Sequence, residues 1–152
     1  MDENTFDEKQ YVIFKLGVEV FGLDIYKVKE IIVYQVTTKM PGAEKFIEGI
    51  INLRGYIIPI FNLRKKFGFP EAEETGGNRI VVVEAHSNTV GIVVDGVSEV
   101  QIIPGNVIEK PSSLISSGVD ANYIAGIAKM EEKLIIILDL EKVINSDIAV
   151  AM

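Results

Sequence analysis

Hydrophobic residues recur in short runs along the whole chain, and turn-forming residues separate each run from the next. Val, Ile and aromatic residues dominate the runs, which is the composition of β-strands. The runs Tyr11–Leu16 and Val18–Ile25 are split at Gly17, and this arrangement predicts a hairpin. Arg79–Ala85 and Thr89–Val94 flank a polar triplet and predict a second hairpin. The chain is therefore predicted to be mostly β.

One further run carries a proline. Tyr56–Leu63 has strand composition, but Pro59 lies inside it and has no N–H to donate to a neighbouring strand. We therefore expect an edge strand, or a strand bulged at Pro59, whose free side is covered or used. The remaining apolar runs predict strands at Ile31–Thr38, Val97–Ile103 and Leu134–Leu140.

Helical spacing is confined to a few short segments. Asp24–Glu30 predicts one turn of helix capped by Asp24, with a bulged strand as the alternative. In Ala43–Ile51 the large apolar residues share one helical face, so a helix is predicted there. Glu141–Ser146 is predicted to be a closing helical turn.

The chain contains an internal repeat. Gly49–Leu63 (GIINLRGYIIPIFNL) and Gly126–Leu140 (GIAKMEEKLIIILDL) are equally long and share Gly, Ile and Leu at matching positions. Phe21–Ile31 matches Val90–Val100 in the same way, without gaps. Two copies of this kind predict a pseudo-symmetric pair of units, and short strands with few helices predict that each unit is a small barrel.

The repeat also predicts how the chain is divided. The first barrel is expected at residues 10–70 and the second at residues 79–146, with the acidic, Gly-rich stretch 70–77 as the linker. Residues 1–9 are acidic and polar and are predicted to be a mobile tail. Each half alone is near the lower size limit for independent folding, so the halves are expected to fold as one unit.

One turn differs between the two copies. Asn52, Leu53, Arg54 and Gly55 are replaced in the second copy by the segment Lys129–Glu132, although the flanking framework is retained. Function that the halves do not share is expected where they differ, which makes Arg54 the strongest candidate. The alternative is a turn arginine that pairs at the surface with a nearby acid such as Glu48.

Composition excludes several classes of function. The 152 residues include no cysteine and one histidine, which excludes thiolate chemistry and argues against a metal site. A net charge of −7 argues against nucleic-acid binding. No signal peptide or membrane-spanning apolar run is present in the sequence, so a cytoplasmic protein is expected. His86 is interpreted as a solvated turn residue and Glu131-Glu132 as a solvated acidic turn.

Three segments carry a resemblance to a known family. GIINLRGYIIPIFNL, VGIVVDGVSEV and YIAGIAKMEEKLIIILDLEKVI closely resemble the CheW-like coupling proteins of bacterial chemotaxis, and the similarity extends over Gln10–Ser146. The resemblance implies two five-stranded SH3-like barrels, no catalytic activity and no cofactor. It also implies a stand-alone adaptor at membrane-associated receptor arrays. Its partners would be the cytoplasmic tip of methyl-accepting chemoreceptors and the regulatory domain of the chemotaxis histidine kinase CheA.

The resemblance also implies site residues. Arg54 matches the signalling arginine of the family near the receptor site, and Val28 and Glu30 match positions of receptor contact. Because Val28 and Glu30 recur as Val97 and Glu99, the repeat alone favours a structural role for that pair. Two rival functions remain at this point: a small enzyme that holds an anionic substrate with Arg54, and a binder of single-stranded nucleic acid.

Overall fold

The computed structural model describes residues 8–43, 46–71, 76–111 and 119–144. Most of the predicted tail, the middle of the predicted linker and residues 112–118 of a polar loop lie outside the described residues. In chain order the strands are β1 (Glu8–Leu16), β2 (Glu19–Asp24), β3 (Val28–Val33), β4 (Ile47–Leu53), β5 (Tyr56–Asn62), β6 (Arg79–Ala85), β7 (Asn88–Val94), β8 (Gly96–Pro104), β9 (Ile108–Glu109), β10 (Ile124–Met130) and β11 (Lys133–Leu138).

Helices are few and short. Asn62 caps the start of α1 (Leu63–Phe67), and Gly68 ends it in a left-handed conformation with φ of 78°. α2 (Leu140–Val143) follows β11 directly. Single 3₁₀ turns lie at Ile25–Lys27, Gly105–Val107 and Ala121–Tyr123. In the described part of the chain no helix is long and apolar enough to span a membrane.

The strands form two sheets with related topology. The five-stranded sheet has the order β3-β6-β7-β5-β4, and the six-stranded sheet has the order β8-β1-β2-β11-β10-β9. By the sequence repeat, β3, β6, β7, β5 and β4 are equivalent to β8, β1, β2, β11 and β10, in that order. The two sheets therefore have the same strand order, except that the six-stranded sheet adds the two-residue strand β9. The prediction of a mostly β fold built from two pseudo-symmetric barrels is therefore confirmed.

The sheets do not coincide with the two halves of the sequence. The β1-β2 hairpin of the first half joins the sheet that contains β8 to β11, and the β6-β7 hairpin of the second half joins the sheet that contains β3 to β5. The predicted boundaries, 10–70 and 79–146, therefore do not enclose separate sheets. Each sheet contains a hairpin from one half together with strands from the other half, three in the five-stranded sheet and four in the six-stranded sheet.

A continuous core crosses from one sheet to the other. Its largest cluster includes Phe14 and Phe21 from the six-stranded sheet and Phe61 from the five-stranded sheet. Phe67 of α1 stacks on Phe21, with ring centroids 5.9 Å apart. Two smaller apolar clusters each draw their buried residues from a single sheet, one from the six-stranded sheet and one from the five-stranded sheet. Because the main cluster draws on both sheets, neither sheet can bury its apolar surface alone.

The predicted helix at Ala43–Ile51 is wrong, because residues Ile47–Leu53 form β4. The buried positions of this strand alternate as Ile47, Gly49, Ile51 and Leu53. Because one of the four buried positions is a glycine, the alternation is not visible when only large apolar residues are considered. A Cβ on Gly49 would lie 2.4 Å from the carbonyl oxygen of Thr38, so only glycine permits this close approach of two chain segments.

Other local predictions are confirmed or adjusted. Asp24 caps the 3₁₀ turn Ile25–Lys27 by accepting a hydrogen bond from the Tyr26 N–H at 2.9 Å. The following strand begins at Val28, before the predicted start at Ile31, and it ends at Val33. At the N-terminus, β1 begins at Glu8, so the predicted tail ends before residue 9.

A first polar cluster, the Asp95 clasp, fastens the crossover between β7 and β8. The Arg64 Nε donates to Asp95 Oδ1 at 3.1 Å, and the Arg64 Nη2 pairs with the other carboxylate oxygen. The Gly17 N–H also donates to Asp95, at 2.6 Å. Because Gly17 lies in the β1-β2 turn and Arg64 in α1, the clasp joins elements of both sheets.

A second cluster, the Glu141 clasp, occupies the equivalent place at the crossover between β2 and β3. Glu141 matches Arg64 in the repeat, and His86 matches Gly17. The His86 N–H donates to Glu141 Oε1 at 3.0 Å, and Lys27 Nζ lies 3.1 Å from Glu141 Oε2. The charges are reversed relative to the Asp95 clasp. The interpretation of His86 as a solvated turn residue is therefore wrong, although its place in a hairpin turn is confirmed.

The exchange of hairpins predicts that the first half cannot fold alone. Of the strand pairs in the two sheets, a fragment of residues 1–68 retains only the hairpins β1-β2 and β4-β5, and such isolated hairpins are marginal in water. We expect no cooperative thermal transition for this fragment by circular dichroism. Mixing it with a fragment of residues 69–152 should restore one transition, since each sheet needs strands from both. A sharp independent transition of the first fragment would contradict the exchanged topology.

The Asp95 clasp predicts a pH-dependent contribution to stability. Burial raises the pKa of Asp95, but the hydrogen bonds from Arg64 and Gly17 and the Arg64 charge outweigh it and lower that pKa below 3.8. A lowered folded-state pKa stabilises the fold above the unfolded-state value, and the contribution is lost as pH falls through the folded-state value. We expect Asp95→Asn to lower the free energy of unfolding at about pH 7 by about 1.5 to 3 kcal/mol.

Urea unfolding of wild type and Asp95→Asn at about pH 7 and about pH 2 measures this contribution. The difference between them should shrink at the lower pH. Glu132→Gln, which removes an exposed acid from the β10-β11 turn, is the matched control and should change little at either pH. An equal loss for Asp95→Asn at both pH values would show that the Asp95 charge is not what stabilises the clasp.

Candidate functional site

Arg54 and Gly55 form the two-residue turn that connects β4 to β5. Their φ angles are 52° and 91°, and two left-handed central residues define a type I′ turn. The Gly55 N–H donates to Asn52 Oδ1 at 2.8 Å and fixes the turn. Glu131 at the equivalent turn also has a left-handed φ, 57°, so a glutamate fits this backbone. The Arg54 side chain at this turn is 67% exposed.

Arg54 pairs with Glu30 of β3 and not with Glu48, the acid suggested by the sequence. The hydrogen bond to Glu30 and the charge of that carboxylate raise the pKa of Arg54. Glu48 instead accepts hydrogen bonds from the Tyr34 hydroxyl and, at 3.1 Å, from Asn62 Nδ2. The structure thus brings together two predicted site residues that are distant in sequence, Arg54 and Glu30.

A groove of about 690 Å³ opens beside this pair. The parallel ladder between β5 and β7 contains only Ile60–Asn62 on the β5 side, so the first half of β5 lacks a partner there. Tyr56 and Ile57 line one side of the groove, and Asn88 and Thr89 of β7 line the other. We call this feature the Arg54 groove.

Pro59 stands where the unpaired stretch of β5 ends. The prediction of an edge strand is wrong, because β5 lies between β7 and β4 in the sheet. A bulge at Pro59 is also wrong, since the register shift of this ladder lies between Ile47 and Gly49. The ladder to β7 begins at Ile60, one residue later, so the missing N–H of Pro59 removes no bond from it.

The remaining predicted site residues fall into two groups. Asn52 and Gly55 are exposed at the turn, and a Cβ on Gly55 would meet no atom within 4 Å. Leu53 is buried in the interior of the five-stranded sheet. Val28 is half-buried and packs against the main core. Leu53 also lines the Arg54 groove, whereas Val28 contributes to the core.

Sequence reasoning missed a set of exposed apolar residues. Ile31, Val33 and Ile57 of the five-stranded sheet are 39%, 65% and 63% exposed. Their repeat equivalents in the six-stranded sheet are 49%, 54% and 53% exposed, and these are Val100, Ile102 and Leu134. The signal was available in the aligned repeats, where apolar residues occupy the same outward positions in both copies.

The chemistry of the Arg54 groove is that of a binding surface. Within the described residues its charged lining consists of Lys29, Glu30 and Arg54, and the last two neutralise each other. No group of histidine and acidic side chains in the described ranges could hold a metal ion. An apolar wall with a charged rim suits a protein partner that has an apolar face and an ionic group at its edge.

Comparison with known proteins places the chain in a family. The family model described as the CheW-like domain matches residues 10–147. The chain is 35% identical over 139 residues to the chemotaxis protein CheW of Klebsiella aerogenes, with 91% of this chain and 83% of the relative covered. It is also 35% identical over 144 residues to the CheW of Treponema pallidum, with coverage of 92% and 84%.

A solved structure is similar over nearly the same length. The crystal structure of the scaffolding protein TtCheW from Thermoanaerobacter tengcongensis superposes with a TM-score of 0.84 at 40% sequence identity. The alignment covers 91% of this chain and 89% of the TtCheW chain. The chain belongs to the CheW-like family of chemotaxis proteins.

Proposed function

We propose that this protein is a non-enzymatic cytoplasmic adaptor that couples methyl-accepting chemoreceptors to the histidine kinase CheA. The observation that carries the proposal is a pair of exposed apolar strands in equivalent places on the two sheets. An adaptor needs two surfaces that bind different partners at once. Family membership and the description of TtCheW as a scaffolding protein support the same conclusion.

Both apolar surfaces lie on strands at the edge of a sheet. β3 is an edge of the five-stranded sheet and carries Ile31 and Val33, and β8 is an edge of the six-stranded sheet and carries Val100 and Ile102. An exposed apolar edge strand invites pairing with another chain. In a protein that functions in an assembly, such edges serve as docking surfaces.

The charges beside the two surfaces differ. Next to Ile31 the pair Arg54–Glu30 combines one positive and one negative group. At the equivalent places the six-stranded sheet has the exposed acids Glu131 and Glu99. Similar apolar positions with different charges favour two different partners over two copies of one partner.

The Arg54 groove is the proposed receptor site. The groove is open along the unpaired half of β5, where Tyr56 and Ile57 present apolar surface beside the Arg54 guanidinium. An amphipathic helical tip could place its apolar face on this wall and an acid near Arg54. The receptor acid would then replace Glu30 as the partner of Arg54. The six-stranded sheet is left for the regulatory domain of CheA.

Reversal of the charge at Arg54 tests the assignment of the receptor site. We expect Arg54→Glu to weaken binding of a soluble receptor-tip fragment by about tenfold or more, because a desolvated charge pair becomes repulsive. Binding of the CheA regulatory domain should change by less than about threefold. Isothermal titration of each partner separately against wild type and variant gives both numbers. The fold should persist, since Glu131 occupies the equivalent turn.

The matched control is Glu131→Arg, the reverse substitution at the equivalent turn of the other sheet. It should leave receptor binding within about threefold of wild type. Melting curves of both variants establish that they are folded. The proposal fails if Arg54→Glu binds the receptor fragment like wild type, or if Glu131→Arg weakens receptor binding as much as Arg54→Glu does.

A further inference from the structure

The Arg54 groove contains a second cation, Lys29 of β3. The Lys29 side chain is exposed, and its Nζ donates to the hydroxyl oxygen of Thr89 at 3.1 Å. Thr89 belongs to β7 and lines the groove. Within the described ranges no carboxylate forms an ion pair with Lys29, whereas Arg54 pairs with Glu30. Lys29 therefore brings an uncompensated positive charge to the groove.

The groove is positive although the protein is strongly negative. Among the described residues its charged lining consists of two cations, Lys29 and Arg54, and one acid, Glu30, which leaves one positive charge. The whole chain has a net charge of −7. A positive cleft on a negative protein favours a partner that is acidic at the point of contact.

The repeat shows that this positive charge belongs to one sheet only. The equivalent of Lys29 in β8 is the uncharged Ser98. The other two charged positions of the groove correspond to Glu99 and Glu131, so the same three places in the six-stranded sheet have two negative charges. All three of these residues are exposed. Two surfaces with the same apolar positions therefore differ by three units of charge, +1 against −2.

The contacts of the two cations determine which of them gains more from an incoming carboxylate. Arg54 must leave the Glu30 carboxylate before it binds another acid, so one ion pair replaces another. Lys29 leaves only the neutral hydroxyl of Thr89. A hydrogen bond between charged groups is roughly twice as strong as one with a neutral partner. An acid that binds Lys29 therefore forms an ion pair where none is lost.

We infer that Lys29 is a specificity-determining contact of the receptor site, and that the Arg54 groove takes a segment with two carboxylates beside its apolar face. One carboxylate pairs with Lys29 and the other with Arg54. The inference rests on the proposed function, because it concerns the receptor site assigned there. Lys29 is held at Thr89 of β7 and Arg54 at Glu30 of β3, so the two acids bind at separate places.

Titration of a soluble receptor-tip fragment against charge variants of Lys29 tests the inference. Lys29→Gln removes the charge and retains a side-chain N–H donor, whereas Lys29→Arg retains the charge. At about 50 mM salt we expect Lys29→Gln to weaken binding about five- to tenfold and Lys29→Arg to stay within about threefold of wild type. At about 500 mM salt the loss in Lys29→Gln should fall below about threefold, because salt screens an exposed charge.

Two further variants come from the repeat. Lys29→Ser is a second test of the lost charge, because Ser98 shows that the strand accepts serine at this place. Ser98→Lys is the matched control, since it adds the same charge to the other sheet and should leave receptor binding within about threefold of wild type. Melting curves establish that each variant is folded.

The possible failures are distinguishable. If Lys29→Gln and Lys29→Ser bind the receptor fragment like wild type while Arg54→Glu binds it more weakly, the inference is wrong and the proposed receptor site stands. An equal loss in Lys29→Gln at both salt concentrations would also overturn the inference, because Lys29 would then act through its contact with Thr89 and not through its charge. If the wild type does not bind the fragment, the proposed function fails and the inference fails with it.

Discussion

Each sheet of this protein takes its central hairpin from the other half of the sequence, and the parallel strand pairs created by that exchange hold the halves together. In one sheet Gly22 of β2 pairs with Ile137 of β11, and in the other Gly91 of β7 pairs with Ile60 of β5. A Cβ on Gly22 would lie 3.0 Å from the Ile137 Cδ1, and one on Gly91 would lie 2.6 Å from the Ile60 Cδ1. A side chain at either glycine would therefore require the facing isoleucine side chain to shift.

The same constraint determines which surfaces remain for partners. Because the hairpins occupy the centre of each sheet, β3 and β8 are left at the edges with outward apolar residues. The short parallel ladder between β5 and β7 leaves the first half of β5 unpaired, and the Arg54 groove opens there. The two clasps fasten the crossovers that lead into β3 and β8. The edges available to partners are therefore next to the contacts that fix the two sheets to each other.

Much of the fold could be predicted from the sequence because its signals are local or repeated. Hairpins with Gly17 or His86 at the turn, the Asp24 cap and the pseudo-symmetry each follow from residues that are close together or that occur twice. The exchange could not be predicted in this way. Equivalent strands have the same apolar pattern, so exchanged and separate barrels bury the same residues, and the pattern favours neither.

The candidate site was predictable only in part. Arg54 stood out because the second copy has Glu131 at its place, which is information contained in the sequence. The pairing of Arg54 with Glu30 could not be predicted, because two residues on different strands meet only when the sheet closes around them. The β4 strand was missed for a related reason. Gly49 is buried by the close approach of the Thr38 backbone and not by the size of its own side chain.

If equivalent surfaces of the two sheets bind different partners, matched substitutions on the two sheets should weaken the binding of different partners. Ile57 and Leu134 occupy equivalent outward positions, so Ile57→Ser and Leu134→Ser remove the same kind of surface from different sheets. Titration of each variant with receptor-tip fragment and with CheA regulatory domain gives four affinities. We expect Ile57→Ser to lose about tenfold in affinity for the receptor fragment alone, and Leu134→Ser to lose about tenfold in affinity for the CheA domain alone. The proposal is contradicted if both variants lose affinity for the same partner. It is also contradicted if neither variant loses affinity for any partner.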